Sequence, residues 1–260
     1  MSHSNGSIKA IIYALGANLG ISLAKGLAAW YTGSGAMLAE TVHSFADSAN
    51  QLLLLLGLKR AKLPASEKHP LGHGKAIYFW SFIVALMLFS MGGIFSIYEG
   101  VHKLMHPEMP QSPWIAVVVL TVSILLELMS LKGALSEVRK VQGKRSFLKW
   151  FRQSRQSELI VVVAEDVAAL LGLSLALAAV LATIISGNPL FDALGTIAIG
   201  AVLILVAVTV GYEVKSLLIG ESADPDTVTA LRDFLSGQPE IAEVYKLITL
   251  QLGTELMVSV

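Results

Sequence analysis

"GSGAMLAETVHSFADSANQLLLLLG" (residues 33–57) carries two signals that conflict. It is long and apolar enough to cross about 30 Å of hydrocarbon. Yet Glu40, His43, Asp47 and Gln51 recur within it. At about 100° per residue, positions 40, 43, 44, 47 and 51 share one side of a helix. The stretch therefore predicts a membrane span with a polar stripe. An aspartate at the bilayer centre costs roughly 2.5–3.5 kcal/mol on insertion scales. Such groups face a bundle interior or a wet cavity, and they need partners.

The rest of the chain repeats the apolar half of this pattern. Of 260 residues, 54% are apolar and 15% charged, against roughly 25% charged in an ordinary soluble domain. The apolar residues come in blocks that predict six spans, at about 8–31, 35–58, 76–101, 113–136, 158–185 and 190–214. The class is an all-α polytopic membrane protein, a six-transmembrane-helix bundle over residues 1–219. Zero net charge gives no footprint for nucleic acid. The absence of cysteine excludes disulfides, thiolate metal sites and cysteine nucleophiles. The first apolar run, Ile8 to Trp30, is too long for a cleaved signal peptide.

Charge sets the expected orientation. The connectors at 32–34, 103–112 and 186–189 hold one basic residue, Lys103. The stretch 59–75 carries Lys59, Arg60, Lys62, Lys68 and Lys75. The stretch 132–155 carries Lys132, Arg139, Lys140, Lys144, Arg145, Lys149, Arg152 and Arg155. The positive-inside rule puts these connectors and both termini in the cytoplasm, an N-in/C-in topology. The basic residues of 132–155 are expected against anionic headgroups of the lipid bilayer.

Composition changes after Gly220. "ESADPDTVTALRDFLSGQPEIAEV" reads as one amphipathic helix with an Asp-Pro start and a Gly-Gln-Pro stop. "VYKLITLQLGTELMVSV" reads as two short strands around Leu252-Gly253-Thr254. Residues 220–260 are thus expected to begin a cytoplasmic α/β domain, incomplete here, because one helix and two strands bury too little to stand alone. Small residues inside the spans, among them Gly16, Gly20, Gly26, Gly195 and Gly200, predict close helix packing.

The partner for the polar stripe comes from the fifth span, "VVVAEDVAALLG" (161–172), with Glu165 and Asp166. His43 and Asp47 stand one turn apart, about 6 Å along the axis, so an acid from a neighbouring helix can meet both. Two readings compete. One is a structural network in which a charged His43 neutralises one acid and Lys25 another. The other is a bound divalent cation, since imidazole plus carboxylates is a ligand set for first-row metals. The excess of acid over imidazole favours the cation. Glu127 in the fourth span and Asn18 in the first are single polar groups, read as support or proton relay for the site or as packing hydrogen bonds. In "HPLGHGK" (69–75), His69 and His73 with nearby Glu67 form a possible second metal site; the alternative is a pair of histidines that cap a helix or meet lipid phosphate. His102 and His106 read as solvated interfacial residues.

These motifs resemble the cation diffusion facilitator family: HxxxD in the second span, an Asp in the fifth, and "HPLGHGK" opening the third. "GSGAMLAETVHSFADSANQLLLLLG", "EDVAALLG" and "GNPLFDALG" are similar to its zinc-transporter-nine branch. The resemblance implies a secondary active transporter, not an enzyme, working as a homodimer. It would export a divalent metal, usually zinc, from the cytoplasm in exchange for protons. It also implies a ferredoxin-like form for the C-terminal domain. Carried over, the transport site is His43, Asp47 and Asp166, with position 162 as the fourth. Position 162 is valine, where zinc exporters of the family generally have histidine. Glu165 is the expected substitute, about 100° around the helix from Asp166, with Gln51 and Glu40 as weaker stand-ins. A carboxylate-rich site suits Zn2+ and also Mn2+, Fe2+ or Co2+. No HExxH supports a metal-dependent hydrolase, while a non-transporting scaffold with a relict metal site stays open. The expected host is a bacterial plasma membrane, with an organellar membrane as the alternative.

Overall fold

The structure is a computed structural model. It describes residues 2–32, 35–107, 109 and 113–260, without the side chains of residues 2–10, 14, 17, 28, 29, 31, 32, 35–43 and 46. Its elements run α1 (Ser2–Thr32), α2 (Gly35–Ala61), α3 (Ala76–Met87), α4 (Phe95–Met105), α5 (Pro113–Gln142), α6 (Phe147–Gln153), α7 (Ser157–Ser186), α8 (Leu190–Ile219), α9 (Pro225–Ser236), β1 (Ile248–Leu252) and β2 (Glu255–Ser259). A π-helical stretch, Leu88–Ile94, joins α3 to α4 without a break, so Ala76–Met105 is one rod of 30 residues.

Among the described residues, four helices are long and apolar enough to cross a membrane: Ala76–Met105, α5, α7 and α8. Two more long helices, α1 and α2, have 31 and 27 residues. Several helices outrun the apolar blocks that predict them. The fourth block ends near 136 in sequence, yet α5 continues through Glu137, Arg139 and Lys140 to Gln142. Those residues are good helix formers, so nothing in them stops the helix where the hydrocarbon would end. The basic connector that follows is not all coil. It holds α6, whose N-cap Ser146 accepts from the Lys149 amide and whose Trp150 is buried in the core.

The long helices pack as a ring in the order α1, α2, α3, α8, α7, α5 and back to α1. α7 also touches α1 and α3. Its first ten residues, Ser157 to Asp166, are all buried. A helix covered on every side is the expected home for polar groups that cannot face lipid. The core around it joins Leu54, Tyr78, Val84, Val138, Leu159, Val162, Val214 and Leu217.

Glycine sets one of these contacts. A Cβ on Gly100 would lie 2.8 Å from the backbone nitrogen of Ile197, and one on Gly200 would lie 2.8 Å from the carbonyl oxygen of Gly93. The α4 and α8 backbones therefore touch, as small residues permit in membranes. Gly16 behaves otherwise: a Cβ there meets nothing within 4 Å. The close contact expected of it is not made among the described residues.

The C-terminal piece has the expected helix and hairpin. Asp224 caps α9 by accepting from the Thr227 amide at 3.2 Å, with Pro225 at the first turn. Leu252 pairs with Glu255 across a two-residue turn, where Gly253 has φ 64°. The hairpin docks on the bundle end. The Gly253 amide donates to the Tyr78 hydroxyl at 3.1 Å, and the Gln251 amide donates to the Glu221 carbonyl at 2.8 Å. Gly74 and the Leu252 carbonyl lie in backbone contact, leaving no room for a side chain. Arg155 pairs with Glu221 and donates to the Ser222 carbonyl at 2.8 Å. By contrast, α9 buries none of its residues, and Phe234 is exposed.

Candidate functional site

Three helices bring four carboxyl groups into one region of the bundle. α2 contributes Asp47, α5 contributes Glu127, and α7 contributes Glu165 and Asp166. Glu127, Glu165 and Asp166 are buried, and Asp47 is half-buried. Asp47 lies close enough to interact electrostatically with both Glu165 and Glu127. Asp166 likewise lies close enough to Glu127 to interact with it electrostatically.

The adjacent acids of α7 turn to different neighbours, as a 100° step between them dictates. Glu165 faces α2. Its Oε1 accepts from Asn50 Nδ2 at 2.9 Å and its Oε2 from Gln51 Nε2 at 2.8 Å. Gln51 is held in turn by α1, since Asn18 Nδ2 donates to its Oε1 at 3.1 Å. Asp166 faces α5, where Ser130 Oγ donates to Oδ2 at 3.0 Å. Hydrogen bonds to a charged acceptor stabilise by about 1.5–3 kcal/mol each. This network therefore offsets much of the cost of burying the acids.

The sequence expectations fare as follows. Asn18, Gln51 and Glu165 form one hydrogen-bonded chain through α1, α2 and α7. Glu127 and Asp166 form a second group between α5 and α7. The side chains of Glu40 and His43 lie outside the described residues, so those two positions can be placed only on α2. Val162 is fully buried in the apolar core. Among the described residues, no three His, Cys, Asp or Glu side chains converge closely enough to hold a metal ion. Lys25 is buried and donates to Ser44 Oγ at 2.9 Å, one turn before Asp47.

Two residues of the network, Asn50 and Ser130, are not among the sequence candidates. Each sits three residues after an acid, Asp47 and Glu127 respectively, and so shares its face. That spacing is the signal for them. In the loop before α3, the His69 and His73 rings stand 4.3 Å apart, and His73 Nδ1 lies 3.2 Å from the Pro64 carbonyl oxygen. Glu67 does not join them in a three-ligand group. His102 and His106, ring centroids 4.9 Å apart, are exposed at the far end of α4. Nearby, Lys103 pairs with Asp192 of α8 at 3.0 Å.

Comparison with known proteins gives this arrangement a family. The mitochondrial proton-coupled zinc antiporter SLC30A9 of Xenopus laevis is 35% identical over 248 residues, covering 94% of this chain and 44% of that protein. Metal tolerance protein C4 of Arabidopsis thaliana is 32% identical over 218 residues, 83% of this chain and 48% of the relative. The cation-efflux pump FieF of Cronobacter sakazakii is 28% identical over 226 residues, 86% of this chain and 70% of the pump. The chain thus spans less than half the length of the first two relatives. The sequence profile of the cation efflux transmembrane domain matches residues 11–219, which cover all six long helices but for the first residues of α1. An integral membrane bundle with acids on its α2 and α7 helices and that match belongs to the cation efflux family.

Proposed function

We propose that the chain is the transport unit of a proton-coupled exporter of divalent metal, with zinc as the expected cargo. All six long helices would span the membrane, with both ends on the cytoplasmic side and the protein working as a homodimer. One observation carries the reading: the buried acids Glu127, Glu165 and Asp166 of two helices, with the half-buried Asp47 of a third close enough to interact with them. So many carboxylates are stable in a membrane interior only when protons or cations neutralise them. A carrier that exchanges the one for the other uses both states.

In this reading, His43, Asp47 and Asp166 bind the metal from the cytoplasm. Binding releases protons, because ligands must be deprotonated. Glu165 serves either as a further ligand or as a neighbouring acceptor held by α2. Rocking of the bundle would expose the site to the far side, where protons compete the metal off. The neighbouring His69 and His73 rings are the remaining candidates for a second cation contact in the loop before α3, without Glu67 as a third ligand. The names of the zinc antiporter relatives support proton coupling and zinc; the carboxylate-rich set leaves Mn2+, Fe2+ and Co2+ as further cargoes. A bacterial plasma membrane is the expected host, and the mitochondrial relatives carry the organellar alternative.

The test is metal flux into proteoliposomes with simultaneous readout of internal pH. Zinc entry coupled to opposite proton movement is expected, and Asp47→Ala and Asp166→Ala should each abolish both. Unchanged flux in either variant rejects the assigned site. Zinc binding without flux would make the chain a metal-binding scaffold.

A further inference from the structure

Two amides side by side on α2 differ in one respect. Gln51 is satisfied at both ends, donating to Glu165 and accepting from Asn18. Among the described residues, Asn50 is satisfied at one end only. The residue is 3% exposed and its Nδ2 donates to Glu165 Oε1 at 2.9 Å, but its buried Oδ1 has no hydrogen-bond partner among the described residues. The orientation follows from chemistry. Once ionised, as it must be beside a bound cation, Glu165 only accepts, so the amide nitrogen faces it and the carbonyl oxygen points elsewhere.

A buried acceptor without a donor carries the whole desolvation cost of that group. Natural structures keep such atoms when something outside the chain satisfies them. Asn50 stands three residues after Asp47 on the same helix and is anchored to an acid of the site. An amide oxygen there can meet a cation that the carboxylates attract. Amide and carboxylate oxygens are hard ligands. They suit Mn2+ and similar ions, whereas imidazole favours zinc and its neighbours. The α7 position where the family resemblance expects an imidazole is an apolar Val162.

We propose that Asn50 Oδ1 is a ligand for the transported cation and determines selectivity by admitting Mn2+ alongside Zn2+. This inference rests on the transport reading of the same site, and its test separates the two.

The experiment measures Zn2+ and Mn2+ binding to the purified protein by titration calorimetry. It compares the wild type with Asn50→Leu, Asn50→Asp and Asp47→Ala. Asn50→Leu removes the oxygen while keeping the branched shape of the side chain. It should weaken Mn2+ binding about ten- to hundred-fold and Zn2+ binding less. Asn50→Asp keeps an oxygen and loses the amide donor, so Mn2+ binding should persist. Asp47→Ala should abolish binding of both ions. If Asn50→Leu leaves the Zn2+ to Mn2+ ratio unchanged while Asp47→Ala abolishes binding, Asn50 is not a ligand and the transport site stands. If Asn50→Leu and Asn50→Asp lose Mn2+ alike, the amide acts only by holding Glu165, and the inference is again wrong. If Asp47→Ala binds both ions normally, the transport reading itself falls.

Discussion

Gln51 of α2 and Glu165 of α7 meet at 2.8 Å, the amide Nε2 donating to the carboxylate Oε2, and Asn18 of α1 donates to the other end of the same amide. One fully buried side chain thus ties three helices together. Geometry is fixed by the contact: the glutamine cannot turn without breaking bonds to two neighbours. Its donor also holds Glu165 on the α2 side, away from the α5 face that Asp166 uses.

Replacing Gln51 by leucine should therefore orphan Glu165 Oε2 and Asn18 Nδ2 at once. Each buried group left without a partner costs about 1–3 kcal/mol, more when it is charged. A lower melting temperature of the purified protein in detergent is the expected result. Asn18→Leu removes only one of those bonds to Gln51, and should cost less. Equal melting of wild type and Gln51→Leu would show that the three-helix tie is not made.

The close α4–α8 crossing gives a second prediction. Alanine at Gly100 would bring its Cβ within 2.6 Å of Ile197 Cγ1 and 2.8 Å of that residue's backbone nitrogen. Flexible side-chain atoms can shift, but backbone cannot. The helices must separate, at about 1–3 kcal/mol for an overpacked site. Gly16→Ala is the control, because the added Cβ there has open space. It should be neutral or slightly stabilising, since alanine is a better helix former than glycine by roughly 0.5–1 kcal/mol. Thermal melts of the two variants should move in different directions or by clearly different amounts. Matching losses would mean that the glycines are not distinguished by packing.

How much of this was legible in sequence depends on the kind of signal. Helices in a bilayer announce themselves by apolar length, so the rods over residues 76–105, 113–142, 157–186 and 190–219 were visible, except for their ends. Their ends were not, because Glu137, Arg139 and Lys140 stay helical in water as readily as apolar residues do in lipid. The polar stripe of α2 and the acids of α7 were visible because ionisable residues are rare in spans. Pairing was not visible. Periodicity states which residues share a face, but it does not say which face meets which neighbour. Thus Glu127 stood as a lone acid until α5 packed on α7, and Asn50 was passed over because it is neutral and off the centre of the stripe. Helix α6 was hidden by its seven residues, too few for periodicity to register, in a connector read for its charge.

The cap of α9 yields a prediction in pH. Burial pushes the Asp224 carboxyl up, but hydrogen bonds from the Thr227 hydroxyl and amide and the charge of Arg145 outweigh it. The group is held below its usual range in the folded protein. A carboxyl depressed by folding contributes stability above its unfolded pKa of about 3.9, and loses it as pH falls through the lower folded value. Asp224→Ala should cost the α9 helix about 1 kcal/mol at neutral pH, as lost N-caps do. Because α9 buries none of its residues, that loss should appear locally rather than in the bundle. Hydrogen-exchange protection factors of the α9 amides are the measurement. The gap between wild type and Asp224→Ala should be full at neutral pH and should close as the pH drops below the ordinary carboxylate range. A gap that persists unchanged into acid would mean that the charge of Asp224 contributes nothing, leaving only the shape of the cap.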